Sequence, residues 1–213
     1  MAIQTFNYPT TNSNIPLRVA RGHFATSHSH INYYIDLTMT KHRLSEAREA
    51  AVELAHNFRS STVVDAILCL DGTEVIGACM ASELTKSGIM SMNAHQTIYV
   101  VTPEHTSGSQ LLFRENIAPM IAGKNVIILA ASVTTGYTVQ AAVEAIGYYG
   151  GTTTGICAIF TCVDEIAGYK INHIFNTNML DDYESKQSYE CPLCKAGVKL
   201  DAMVNTYGYS SLK

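Results

Sequence analysis

Three short runs in this chain are apolar on both faces: residues 63–70 (VVDAILCL), 125–131 (NVIILAA) and 155–163 (GICAIFTCV). A weaker fourth lies at 97–101 (TIYVV). A strand facing solvent alternates apolar and polar residues, so continuous runs of this length belong to strands buried on both sides. Two of them run through turn residues, Asp71-Gly72-Thr73 and Thr134-Thr135-Gly136, into helix-like stretches at 75–84 and 139–146. This alternation predicts an α/β fold with a parallel sheet and helices on both faces. Right-handed crossovers then gather the strand-to-helix loops along one edge of the sheet, where such folds bind ligands.

The clearest helix spans 44–58 (LSEAREAAVELAHNF). Leu44, Ala47, Ala51, Leu54, Ala55 and Phe58 share one face, with Glu46, Arg48, Glu49 and Glu53 on the other. No internal repeat or low-complexity linker divides the 213 residues, and one domain, 1–213, is the expectation. Within it, residues 1–20 read as a loosely packed polar N-terminal arm, and 170–213 as a C-terminal hood or tail ending in the Tyr-rich 207–213. Net charge is −4 without a basic run, which argues against a nucleic-acid partner, since phosphate binding needs clustered cations. No apolar run is long enough to span a bilayer, and the start lacks the pattern of a secretory leader. A cytoplasmic location with reduced cysteines is therefore expected, and Cys69, Cys79, Cys157 and Cys162 sit in apolar stretches as small core residues.

Residues 126–138 (VIILAASVTTGYT) carry the most chemistry. A buried strand delivers small hydroxyl residues and Gly to a helix N-terminus. Unpaired N–H groups and the helix dipole favour an anion there. Gly136 permits close backbone approach, Tyr137 follows it, and Thr134, Thr135 and Thr138 can add hydroxyl donors. The alternative is an ordinary capped helix after a strand.

This segment resembles the phosphoribosyl-diphosphate motif of type I phosphoribosyltransferases, in which apolar and paired acidic residues precede Thr-Thr-Gly. Other segments resemble the orotate phosphoribosyltransferase branch in the same order. Gly22-His23 through Tyr33-Tyr34-Ile35-Asp36-Leu37 is similar to its Gly-x-His-Ser-x-Tyr-Tyr-x-Asp segment. Residues 64–81 look like its strand, diphosphate loop (Asp71, Gly72, Thr73) and helix. Asp164 to Gly168 stands where the branch has Asp-Arg-x-x-Gly, and Cys191-Pro-Leu-Cys194-Lys-Ala-Gly197 is similar to a tail in some bacterial members. The resemblance covers roughly 20–200. It implies a parallel-sheet type I phosphoribosyltransferase fold, a homodimer, and a phosphorylated ligand such as 5-phosphoribosyl diphosphate or a nucleotide, with Mg²⁺ if the chain is catalytic.

The departures from that pattern bear on activity. The acidic pair that would clamp the ribose hydroxyls is Ala130 and Ala131. The loop 102–124, which in the family carries Arg, Lys and His to the leaving diphosphate, offers His105, Arg114 and Lys124. Glu165 replaces the Arg that meets orotate's carboxylate, and would repel that anion. Glu74 adds an acid beside Asp71 in the diphosphate loop. The orotate reaction is therefore expected to be weakened or lost, leaving a protein that holds a phosphoribosyl or nucleotide phosphate at 134–138. The alternative is an active transferase acting on another base, with Asp71, Glu74 or His105 taking over part of the missing work.

Cys191 and Cys194 have the spacing of a zinc knuckle without a second pair. A complete site needs His ligands such as His173, or a knuckle from a second subunit; otherwise this is a tight turn with two thiols. His28-Ser29-His30, with His23 nearby, reads as a polar loop near the site, with a metal site as the alternative. The pairs Tyr33-Tyr34 and Tyr148-Tyr149 could stack on a base or simply pack.

Overall fold

The computed structural model describes residues 3–8, 13–86, 91–94, 96–106 and 110–212. Parts of the N-terminal arm (1–2 and 9–12), the centre of the 102–124 loop (107–109) and Lys213 of the Tyr-rich tail lie outside them. The chain forms two compact units, residues 40–176 and residues 1–39 with 177–213.

The 40–176 unit is built on strands β1 (Ala66–Cys69), β2 (Tyr99–Val101), β3 (Asn125–Val133), β4 (Thr152–Thr161) and β5 (Tyr169–Asn176). They lie in the order β2-β1-β3-β4-β5, all parallel. A two-residue strand, Glu165–Ile166, pairs antiparallel at the β5 edge. The apolar runs predicted as strands are strands, though the first narrows to four residues. All four of those, Ala66 to Cys69, are at most 1% exposed.

Successive side chains of a strand point to opposite faces, and both faces are covered. On one, Ala66, Leu68, Val126, Ile128, Ala130, Ile156 and Ala158 join a core with Val139, Ala142, Ala145 and Ile146 of helix α3 (Tyr137–Tyr148). The other face takes helix α2 (Glu74–Thr85), whose Gly77 lies against Ile67 and Cys69. A Cβ on Gly77 would fall 2.4 Å from Cys69 Sγ, so this glycine sets how closely α2 approaches β1. Helix α1 (Leu44–Ala55) buries Ala47, Ala50, Ala51, Leu54 and Ala55. The predicted 44–58 helix thus ends earlier and passes through a single turn of 3₁₀ helix, His56–Phe58. Each fully buried Ile or Leu in these layers contributes about 1.5–3 kcal/mol.

The second unit carries a mostly antiparallel sheet in the order Ser185–Lys186, His30–Asp36, Leu17–Ala25, Ala202–Asn205 and Gly208–Ser211, with Phe6–Tyr8 also paired to Leu17–Ala25. Residues 13–20 are not loosely packed: Ile15, Leu17, Val19 and Ala20 are at most 1% exposed. The odd-numbered apolar residues at 15, 17 and 19 are the period of a half-buried strand. The segment 28–30 is likewise not wholly a polar loop, because His30 begins a strand and Ser29 is buried. No helix among the described residues is long and apolar enough to cross a membrane.

Candidate functional site

Two strand-to-helix turns meet at the C-terminal edge of the parallel sheet, one after β1 and one after β3. Leu70, just past β1, donates its backbone N–H to the Leu129 carbonyl at 2.8 Å and aligns the two strand ends. Thr73 locks the first turn. It is fully buried, with its hydroxyl 2.8 Å from the Leu70 carbonyl and 3.0 Å from the Leu129 carbonyl. Asp71 and Gly72 between them both take left-handed conformations, with φ of 60° and 76°. Asp71 is one of the few residue types that tolerate this. Lys41 secures the turn by donating Nζ to the Asp71 carbonyl at 2.9 Å.

The half-buried Asp71 side chain lies beside β3. Burial pushes its carboxyl above the usual carboxylate range, while Lys41, a backbone hydrogen bond from Ala131 and the nearby His105 pull it back. Ala130 and Ala131 are themselves buried, at 1% and 3% exposure. Neither can contribute a polar side chain, so Asp71 is the carboxylate found beside the position where the resemblance implies an acidic pair. The structure thus brings Asp71, Ala131 and His105 together. Glu74 is exposed at the start of α2.

The second turn, Thr134-Thr135, leads to Gly136, the N-cap of α3, at φ 84°. Gly136 has no side chain with which to cap the helix. Thr135, Tyr137 and Thr138 are exposed and Thr134 is half-buried. Gly136 is buried beneath Ile166: a Cβ there would fall 2.6 Å from Ile166 Cδ1. Glu165, the neighbour of Ile166, therefore stands on the short edge strand that covers the turn.

Of the cations in the 102–124 loop, Arg114 is held by an acid. Arg114 makes a two-pronged pair with Glu104, Nε to Oε2 at 2.7 Å and Nη2 to Oε1 at 2.6 Å. That pairing raises the Arg114 guanidinium and lowers the Glu104 carboxyl. His105 is exposed on a two-residue strand paired with Leu111–Leu112. Lys124 is half-buried, with its carbonyl accepting from the Thr152 N–H. Tyr149 packs edge-on against Phe113, while Tyr148 is 85% exposed.

No family model matches the sequence, and no curated protein matches it. Solved structures do. UMP synthase of Leishmania donovani superposes with a TM-score of 0.55 at 20% identity, covering 76% of this chain and 34% of that one. The chain thus spans about a third of that protein's length. Orotate phosphoribosyltransferase of Mycobacterium tuberculosis H37Rv gives 0.53 at 16% identity, covering 78% and 93%. Adenine phosphoribosyltransferase of Thermoanaerobacter pseudethanolicus gives 0.51 at 16%, covering 68% and 88%. The fold is that of the type I phosphoribosyltransferases. The turns after β1 and β3 lie at the carboxyl ends of the parallel strands, the edge where open α/β sheets generally bind ligands.

In the second unit the structure departs from the sequence expectation for the Cys knuckle. His173 lies on β5 of the other unit, its Nδ1 3.1 Å from the Ile171 carbonyl and its Nε2 3.1 Å from Asn176 Nδ2. The imidazoles beside Cys191 and Cys194 are instead His23 and His30. Their ring nitrogens and the two sulfurs all lie within 4.8 Å of one another. The spacing His-x₆-His was visible in the sequence, but only the pairing of strands Leu17–Ala25 and His30–Asp36 turns both rings to one place.

Proposed function

We propose that this chain binds the phosphate of a phosphoribosyl or nucleotide ligand at Thr134 to Thr138, and that the orotate reaction is weakened or lost. The observation that carries this reading is the uncapped N-terminus of α3 behind the left-handed Gly136. Backbone donors at such an end are aimed outward with partial positive charge, and hydroxyls at 134, 135 and 138 supplement them. The likeness to orotate and adenine phosphoribosyltransferases supports a phosphoribosyl-type ligand.

Departure of a diphosphate needs fixed cations. Arg114 is held by Glu104, and Glu165 brings a negative charge where an orotate carboxylate would have to approach. A chain of this kind is suited to holding a phosphate and poorly suited to expelling a diphosphate towards orotate.

One observation favours a second reading, transfer to a different base. Asp71 supplies a carboxylate beside Ala131, and a half-buried oxygen donor of this kind fits Mg²⁺, which takes few protein ligands and several phosphate oxygens. Bound there with a diphosphate, Mg²⁺ would neutralise charge on the leaving group. A homodimer and a cytoplasmic location belong to the same proposal. The deciding experiment couples calorimetric titration of 5-phosphoribosyl diphosphate, with and without Mg²⁺, to a pyrophosphate-release assay over a set of bases. Binding without release supports the first reading. Release with any base other than orotate replaces it with the second.

A further inference from the structure

We propose that His23, His30, Cys191 and Cys194 bind one zinc ion in a closed, structural Cys₂His₂ site. All four residues belong to the unit formed by residues 1–39 and 177–213. His23 Nε2 and His30 Nδ1 are 3.1 Å apart. His30 Nδ1 lies 3.2 Å from Cys194 Sγ, and His23 Nε2 lies 3.5 Å from Cys191 Sγ and 3.6 Å from Cys194 Sγ. Zinc bonded to imidazole nitrogen at about 2.0–2.1 Å and thiolate sulfur at about 2.3 Å, in a regular tetrahedron, has N···N edges near 3.3 Å and N···S edges near 3.6 Å. The two His23–sulfur distances match the N···S edge, the N···N and His30–Cys194 contacts are somewhat shorter, and all four ligand atoms lie within 4.8 Å of one another.

Hydrogen bonding alone accounts poorly for this arrangement. His23 Nδ1 is 2.9 Å from the Val198 carbonyl, which can only accept, so Nδ1 carries the proton and a neutral ring presents one lone pair at Nε2. Three groups crowd that single lone pair. It can accept one hydrogen bond, whereas a cation at the centre draws all four ligand atoms at once. The Val198 contact is also the outer-shell support expected of a metal-ligating histidine, since it fixes the tautomer and the ring orientation.

The backbone is shaped to deliver these ligands. The ladder between Leu17–Ala25 and His30–Asp36 shifts register between Arg21 and Phe24, and His23 sits in that irregularity. Asp201 braces it from both sides: its Oδ2 accepts the His23 N–H at 2.8 Å, and its own N–H donates to the His23 carbonyl at 2.8 Å. Register shifts of this kind re-aim a side chain. Cys191 caps and Cys194 lies within a single helical turn, Pro192–Lys195, and Gly197 beyond it donates its N–H to the Cys194 carbonyl at 3.0 Å. His23 and Cys191 are buried at 1% and 4% exposure, His30 is half-buried and Cys194 is exposed.

Zinc suits this donor set, because two thiolates and two imidazoles are borderline-soft ligands without an open position. The site also has a structural task. The ligands come from two chain segments separated by the whole of 40–176, and one ion would tie both into a single unit. Units below about 70–80 residues commonly rely on a metal or disulfides.

The test uses the full chain expressed with zinc and analysed for metal by mass spectrometry, then reconstituted with Co²⁺. The expected result is one zinc per chain. Its cobalt form should show tetrahedral visible bands and thiolate charge transfer. Cys191→Ser with Cys194→Ser should lose the metal and raise hydrogen exchange in Leu17–Ala25 and His30–Asp36. His30→Cys, which preserves the ligand count and guards against mere misfolding, should keep the metal and strengthen the thiolate band. Metal content unchanged by the double substitution, protein that takes up neither zinc nor cobalt, or a Cys191–Cys194 disulfide in the native chain would each overturn the assignment.

Discussion

Lys41 donates its ammonium to the main-chain carbonyl of Asp71 at 2.9 Å, and so pins a left-handed turn whose side chain reaches towards Ala131. One buried lysine both shapes the turn by hydrogen bonding and partly balances the carboxylate electrostatically. The turn after β1 and the end of β3 are thereby joined in one polar group. The predictions below start from that group and move outward.

Asp71→Asn separates stability from binding. The folded state raises the Asp71 carboxyl above its ordinary value, chiefly by burial, so the native chain holds more protons than the unfolded one between those two values. Stability therefore falls as pH rises through that window and stays lower above it. The Asn variant lacks this slope. It should melt no lower than the native chain at pH 7, with the difference closing at acid pH, while Mg²⁺-dependent binding of 5-phosphoribosyl diphosphate is lost. Thermal melts across pH, alongside calorimetry, check both halves.

Gly136→Ala should cost about 1–2 kcal/mol, since any L side chain at φ 84° pays for the left-handed conformation. In this variant and in Gly136→Val alike the Cβ falls 2.6 Å from Ile166 Cδ1, and the two γ-methyls of Gly136→Val enlarge that collision. Phosphate affinity in the Val variant should fall at least ~10-fold, because the backbone donors before α3 move. Denaturant melts and calorimetric titration with ribose 5-phosphate read the two effects.

Thr73→Val keeps the shape of a fully buried residue and removes a hydroxyl that lies on two strand-end carbonyls. A loss of about 1–2 kcal/mol in chemical denaturation is expected, with Thr73→Ser close to the native chain.

Glu104→Gln releases Arg114 from its two-pronged pair. Both partners are largely exposed, so the melting temperature should not move. Affinity for 5-phosphoribosyl diphosphate should instead rise and become more salt-dependent, because a cation of the 102–124 loop is set free. Titrations at low and high salt measure this.

The parallel core was legible because strands buried on both faces leave no polar alternation to mislead; 125–131 and 155–163 are examples. The turn before α3 was legible for a local reason: Thr-Thr-Gly between strand and helix states its own conformational demand. Long-range features were not. That Asp71 approaches Ala131 depends on β1 pairing with β3, 60 residues apart at the Ala66–Val126 register. That Arg114 is neutralised depends on a hairpin bringing Glu104 to it. The proposed zinc ligands illustrate the same limit: His173 is nearer to the Cys pair in sequence, but His23 and His30 are the imidazoles clustered with it. The polar look of residues 1–20 hid the alternation at Ile15, Leu17 and Val19, which is what places that segment in a sheet.

The central claim, a phosphate cradle at Thr134 to Thr138 on a phosphoribosyltransferase fold, is tested most directly by calorimetric titration of the full chain. The ligands are 5-phosphoribosyl diphosphate, ribose 5-phosphate and nucleoside monophosphates, each run in parallel with Gly136→Val. Saturable binding of at least one of them, lost or strongly weakened in the variant, is the predicted result. Absence of binding by all three, or equal binding by native chain and variant, would contradict the cradle and leave the fold without the site.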